Sequence, residues 1–128
     1  MSSSSVAIRI LTVDDHPVLR SGIGSLIENH SDMHIVGEAG SGEEAIGLYR
    51  RLLPDVTLMD LQMPDMDGVE CIKRIRQEFP LARFLVLTTY AGDVLAHRAL
   101  KAGAHAYVLK QAARTELVDH IRAVFHGL

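Results

Sequence analysis

The sequence has no tryptophan, one cysteine and only four prolines among 128 residues. A single thiol, Cys71, excludes an internal disulfide, so a packed core must hold the fold. No run approaches the ~18 apolar residues of a membrane span. Met1–Ser5 lacks the basic and apolar regions of a signal peptide. A basic excess is missing too: 13 Lys and Arg face 16 Asp and Glu, a net charge of −3 with the seven histidines neutral. That balance argues against a nucleic-acid module. No glycine-rich phosphate loop follows a strand pattern, and Gly22–Ile23–Gly24 falls inside a helical one. His30, His34, His97, His105, His120 and His126 are scattered without metal-ligand spacing. Cys71 has no base near it in the pattern and reads as a packing residue. What remains is a soluble domain of a reducing compartment, expected in the cytoplasm and off the membrane.

What is present is a core. The chain is 48% hydrophobic, and at this length a single domain buries roughly two thirds of its surface. Short β-branched runs alternate with amphipathic stretches. Strands are expected at Ala7–Val13, Met33–Ala39, Val56–Met59, Arg83–Thr88 and Ala106–Leu109. Helices are expected at Val18–Asn29, Ser41 to about Leu53, Val69–Phe79, Ala91–Ala102 and Ala112–Phe125. Val18, Leu19, Ile23, Leu26 and Ile27 form the apolar stripe of the first helix; Leu95, Ala99 and Ala102 form that of the fourth. Ser41 is a candidate N-cap with Glu43 and Glu44 in the first turn, and Gly103 a candidate helix-ending glycine. Gly22 and Gly24 either weaken the first helix or permit close packing.

Five βα units imply an α/β, doubly wound, five-stranded parallel sheet with five helices on two faces. The first, third and fourth strands are the most apolar, so the order 2-1-3-4-5 buries them centrally. Ligands of such sheets bind beyond the strand C-termini, where the strand order reverses. There the sequence is acidic. Asp14 and Asp15 follow the first strand and Asp60 follows the third. Crowded carboxylates need a cation, and Mg2+, with Mn2+ as a substitute, suits an oxygen set completed by a backbone carbonyl near Gln62. Thr88 ends the fourth strand and Lys110 the fifth. The lysine would pair with Asp60, and both would hold a phosphoryl oxygen were Asp60 modified. His16, beside the acidic pair, reads as a solvated loop residue or as a contact to the water shell of the ion.

The stretches ILTVDDHPVLRSGIGSLIE, VTLMDLQMPDMDGVE, VLTTY and KAGAHAYVLK resemble the receiver domain of two-component response regulators, in order and spacing. DDHPVLRSG and VGEAGSGEEAI resemble the subgroup with a C-terminal helix-turn-helix (LuxR-type) DNA-binding domain. The resemblance implies a flavodoxin/CheY-like fold in a receiver spanning residues 6–126, with a disordered tail at 1–5 and the start of a linker at 127–128. It implies Asp60 as phosphoacceptor; Asp14, Asp15, Asp60 and the Gln62 carbonyl as metal ligands; and Thr88 as switch hydroxyl. Lys110 becomes the phosphoryl-binding lysine, Tyr107 the aromatic that changes rotamer, and Thr89 the residue gating access. It implies a sensor histidine kinase as partner and a homodimer on activation, through the fourth-helix to fifth-helix face or through helices one and five. His97, Arg98, Lys101, His105 and Tyr107 are the exposed candidates on the former. DNA would be reached only through a C-terminal domain missing from this chain. The alternative is a stand-alone receiver acting by protein binding or phosphorelay. Either is a regulatory switch rather than a turnover enzyme, limited to Mg2+-dependent phosphoryl uptake and slow self-dephosphorylation. A phosphohydrolase on a similar sheet would want an acid where Gln62 stands. Gln111 follows Lys110, so no cis-proline is available and a cis bond there would be costly.

Overall fold

The structure is a computed structural model that describes residues 7–89 and 92–127. The expected tail at 1–5, the expected helix start at Ala91 and the last residue of the expected linker lie outside the described residues. Five strands form one parallel sheet: β1 (Ile8–Val13), β2 (Met33–Ala39), β3 (Val56–Asp60), β4 (Phe84–Thr88) and β5 (Ala106–Leu109). Their order is β2-β1-β3-β4-β5, as the apolar content of the strands anticipates. β3 and β4 are buried throughout, whereas β2 and β5 are partly open at the edges.

Strand alternation divides the core in two. Ile10, Leu58, Leu85 and Leu87 point to one face and meet Ile23 and Ile27 of α1 (Pro17–Glu28) and Leu117 and Ile121 of α5 (Ala113–His126). Leu11, Met59, Phe84 and Val86 point to the other face. There they meet Ile46 and Tyr49 of α2 (Gly42–Leu52), Ile72 and Ile75 of α3 (Gly68–Glu78), and Ala96 and Ala99 of α4 (Val94–Ala102). Each large aliphatic side chain so buried contributes roughly 1.5–3 kcal/mol of transfer free energy.

Helix ends follow local chemistry. Ser41 caps α2 by accepting from the Glu44 N–H at 3.2 Å. A second support comes from the β3–α3 loop, where the Asp65 carboxylate accepts from Gly42 and Glu43 N–H groups at 2.9 Å each. Those two bonds hold the Asp65 carboxyl below its ordinary range. Gly103 ends α4 at φ +122, where any Cβ would strike the Arg76 side chain.

Some expectations shift. Asp60 is the last residue of β3 rather than the first beyond it. β4 starts at Phe84, not Arg83, and α4 starts at Val94, after its cap Asp93. Lys110 opens a 3-10 turn, Lys110–Ala112, so α5 begins at Ala113. Val18 is 87% exposed and does not join the buried stripe of α1; it lines an open groove between α1 and the start of α5. A Cβ on Gly22 or Gly24 meets nothing within 4 Å, so neither glycine serves close packing. The Lys110–Gln111 bond is trans, like every described peptide bond.

Cys71 is fully buried under α2, its thiol 3.8 Å from the Gly42 carbonyl. Burial pushes its pKa up to about 12. Native protein at pH 8 is therefore expected to resist iodoacetamide, with alkylation appearing only as the chain unfolds in urea. Rapid labelling of the folded form would contradict this packing.

Candidate functional site

Register builds the site. Val13 lies opposite Met59, Asp60 opposite Leu87, and Thr88 opposite Leu109. The residues at the ends of these ladders, Asp14, Asp60, Thr88 and Lys110, therefore reach one edge of the sheet. The Asp14 N–H donates to the Ala39 carbonyl at 2.9 Å, extending β1 pairing by one step. Arg20 of α1 donates to the Asp14 carbonyl at 2.7 Å and pairs with Glu38 at 3.1 Å, fixing the start of the loop.

On the other side, Gly68 lets α3 approach β3. A Cβ there would lie 2.8 Å from the Asp60 carbonyl and 2.9 Å from the Leu61 Cα. The Gly68 N–H donates to the Leu61 carbonyl at 2.9 Å. The backbone around Asp60 is thus folded back on itself, and residue 68 is glycine because of that approach.

Asp14 and Asp60 are 2% and 1% exposed, so both carboxylates leave water almost completely. Asp60 Oδ1 accepts from the Gln62 N–H at 3.2 Å and lies 3.2 Å from Lys110 Nζ. Asp14 Oδ1 accepts from the His16 N–H at 2.7 Å. The second oxygen of each, Oδ2, is buried with no hydrogen-bond partner among the described residues. Burial raises the pKa of Asp60 and the charge of Asp14 adds to that rise, while the Gln62 N–H and Lys110 oppose it. Asp15 is half-buried beside them. Two buried, unpaired carboxylate oxygens need a positive partner. The three carboxylates offer hard oxygen donors, which fits Mg2+ or Mn2+. Asp14, Asp15 and Asp60 would hold the ion. Gln62 stands two residues past Asp60 with its backbone folded toward the carboxylate.

The remaining expected residues divide. Lys110 arrives at Asp60 as anticipated. Thr88 is buried at the expected strand end, and its hydroxyl donates to Asp93 Oδ2 at 2.7 Å. Asp93 Oδ1 at the same time accepts from the Leu95 N–H at 2.8 Å and caps α4. Thr89 is exposed beside it. Tyr107 is 38% exposed. It lines a groove of about 270 Å³ with Asp93, Val94, His97 and Leu100. His97, Arg98 and Lys101 are exposed on α4, and His105 is exposed just ahead of β5.

Sequence reading misses the roles of Asp93, Asp65 and Gly68. Asp93 is a short acid ahead of a helix, and that signal marks a cap without revealing its second bond to Thr88. Asp65 and Gly68 sit in a loop whose role emerges only once α2 and α3 are packed. His16 is exposed as expected, but its Nδ1 turns inward, 3.1 Å from both Asp14 and Asp15 oxygens.

Comparison with known proteins accounts for this set. Residues 10–122 match the model of the response regulator receiver domain. The response regulator protein VraR of Staphylococcus aureus is 42% identical over 122 residues, covering 95% of this chain and 58% of VraR. The chain thus spans little over half the length of that relative. A LuxR-family two-component response regulator from Aurantimonas sp. SI85-9A1 superposes with a TM-score of 0.90 at 41% identity, covering 94% of this chain and 86% of that one. The receiver domain of the putative response regulator NarL from Mycobacterium tuberculosis also gives 0.90, at 32% identity, covering 96% and 99%. The 2-1-3-4-5 sheet with its acidic edge is the receiver fold, and the chain belongs to the response regulator receiver domain family.

Proposed function

We propose that this receiver is the phosphorylation-operated switch of a LuxR-type two-component response regulator, with Asp60 as the phosphoacceptor. The observation that carries the reading is the buried Asp60 carboxylate, which has one oxygen on Lys110 and the Gln62 N–H and the other without a donor. An aligned, desolvated carboxylate is a competent nucleophile. One of its oxygens attacks phosphorus of a phosphohistidine on a sensor kinase. The new O–P bond forms as the P–N bond breaks, and the imidazole leaves with the bonding pair and takes up a proton from solvent. Asp14, Asp15, Asp60 and the Gln62 carbonyl would hold Mg2+, which would supply charge neutralisation at the phosphoryl oxygens. Lys110 shifts from carboxylate to phosphoryl oxygen with little movement. Autodephosphorylation by water is slow chemistry of the same site, and exposed Thr89 stands where water would enter.

The readout runs through Thr88. To reach a phosphoryl oxygen its hydroxyl must leave Asp93, and that bond is shared with the cap of α4. Phosphorylation thus biases a two-state element at the start of α4, beside Tyr107 and its groove. That face carries the change to a second copy of the receiver. DNA control belongs to a helix-turn-helix domain of the full-length regulator, a cytoplasmic protein in this reading.

Two measurements test the reading. With Mg2+ and acetyl phosphate, intact-mass analysis is expected to show one added phosphoryl group on wild type and none on Asp60→Asn. Equal labelling of both would overturn the assignment. For the latch, Thr88→Val and Asp93→Ala are expected to couple by about 1 kcal/mol in a double-mutant urea-unfolding cycle. Simple additivity would show that the hydroxyl is not held.

A further inference from the structure

The phosphoryl chemistry above makes no use of His16, although this side chain reaches the acidic mouth. Nδ1 lies 3.1 Å from Asp14 Oδ1, 3.1 Å from Asp15 Oδ1 and 3.7 Å from Asp60 Oδ2. One ligand atom from each of Asp14, Asp15, His16 and Asp60 can be chosen so that all lie within 4.8 Å of one another. An ion with bonds of ~2.1 Å sets neighbouring ligand atoms ~3.0 Å apart at a right angle and ~3.4 Å apart in a tetrahedron. The ring nitrogen, now hydrogen-bonded to Asp14 Oδ1, therefore stands at ligand-to-ligand distance from Asp14 and Asp15, with Asp60 slightly farther away.

Local structure keeps it there. His16 is extended at φ −102 and ψ 102, just ahead of Pro17, and its side chain makes no capping bond to α1. Its own N–H is anchored on Asp14 at 2.7 Å. Independently, the buried Oδ2 atoms of Asp14 and Asp60 lack any hydrogen-bond partner among the described residues. A cation in the mouth would satisfy both.

Mg2+ prefers oxygen and keeps several waters, so it gains little from an imidazole. Nickel and zinc ions favour imidazole nitrogen and bind mixed nitrogen and oxygen sets more tightly. We propose that His16 is a nitrogen ligand through which this site takes a transition-metal ion of the nickel or zinc class, with Asp14, Asp15 and Asp60, in competition with Mg2+. The inference rests on the cation site of the proposed function and names a second class of ion for it. The outer edge of the ring is exposed, so Nε2 is free to bond water, the outer support a ligating histidine commonly has.

The test is calorimetric titration of the whole chain with Ni2+ and, separately, with Mg2+, on wild type and His16→Ala. The ring is 61% exposed and caps nothing, so the variant keeps its fold, checked by circular dichroism. Expected is Ni2+ binding tighter than Mg2+ on wild type. Loss of the ring is expected to weaken Ni2+ by roughly tenfold or more while Mg2+ affinity stays within about twofold. Excess Mg2+ is expected to displace the Ni2+, because the carboxylates are shared. Ni2+ affinity unchanged in His16→Ala, or Ni2+ that excess Mg2+ leaves in place on other histidines, overturns the role of His16. Absence of Mg2+ binding to wild type would instead sink the cation site itself.

Discussion

Two carboxylates buried side by side are the constraint on which the rest depends. The parallel register of β1, β3 and β4 brings Asp14 and Asp60 to the same edge, almost wholly out of water. One lysine and a few N–H groups satisfy half of their oxygens. Like charges in a desolvated site cost free energy that packing alone must carry. A divalent cation would relieve the cost, and in the proposed reading the same ion and Lys110 would offset the charge that phosphorylation of Asp60 adds.

The scaffold serves that edge. Gly68 lets the β3–α3 loop turn tightly against Asp60, and Asp65 ties the same loop to the start of α2. Arg20 steadies the loop after β1. On the far side, Asp93 divides its two oxygens between the α4 cap and Thr88. The start of α4 and the Thr88 hydroxyl are therefore tied to one carboxylate. The groove beside Tyr107 begins at the same residue. Motion of one hydroxyl is thereby linked to the shape of an exposed face.

The strand order, the two-faced core and the meeting of Asp14, Asp15, Asp60 and Lys110 were legible from the sequence. Each acid or base directly follows or ends an apolar run, and parallel topology does the rest. Side-chain direction was less legible. Thr88 is legible along the chain as the end of a strand, yet the spacing does not show that its hydroxyl is held by Asp93. His16 reads either as a loop residue or as a contact to the water shell of the ion, because the sequence does not show that an exposed ring turns its Nδ1 inward. Val18 fits the helical period but stays exposed at an open groove between α1 and α5, which periodicity alone does not reveal. Helix boundaries moved where caps such as Asp93, or the 3-10 turn at Lys110, decide the start.

The most direct measurement is the stability of the domain against urea as Mg2+ is added, for wild type and Asp14→Asn. A ligand that binds only the folded state stabilises it by about 2.7 kcal/mol at a hundred times its Kd. Wild type should gain stability steadily with Mg2+. Asp14→Asn should start more stable in metal-free buffer and respond far less to the ion. If Mg2+ leaves the wild-type transition unmoved and Asp14→Asn is the weaker protein without metal, the paired acids are not a strained cation site and the account fails.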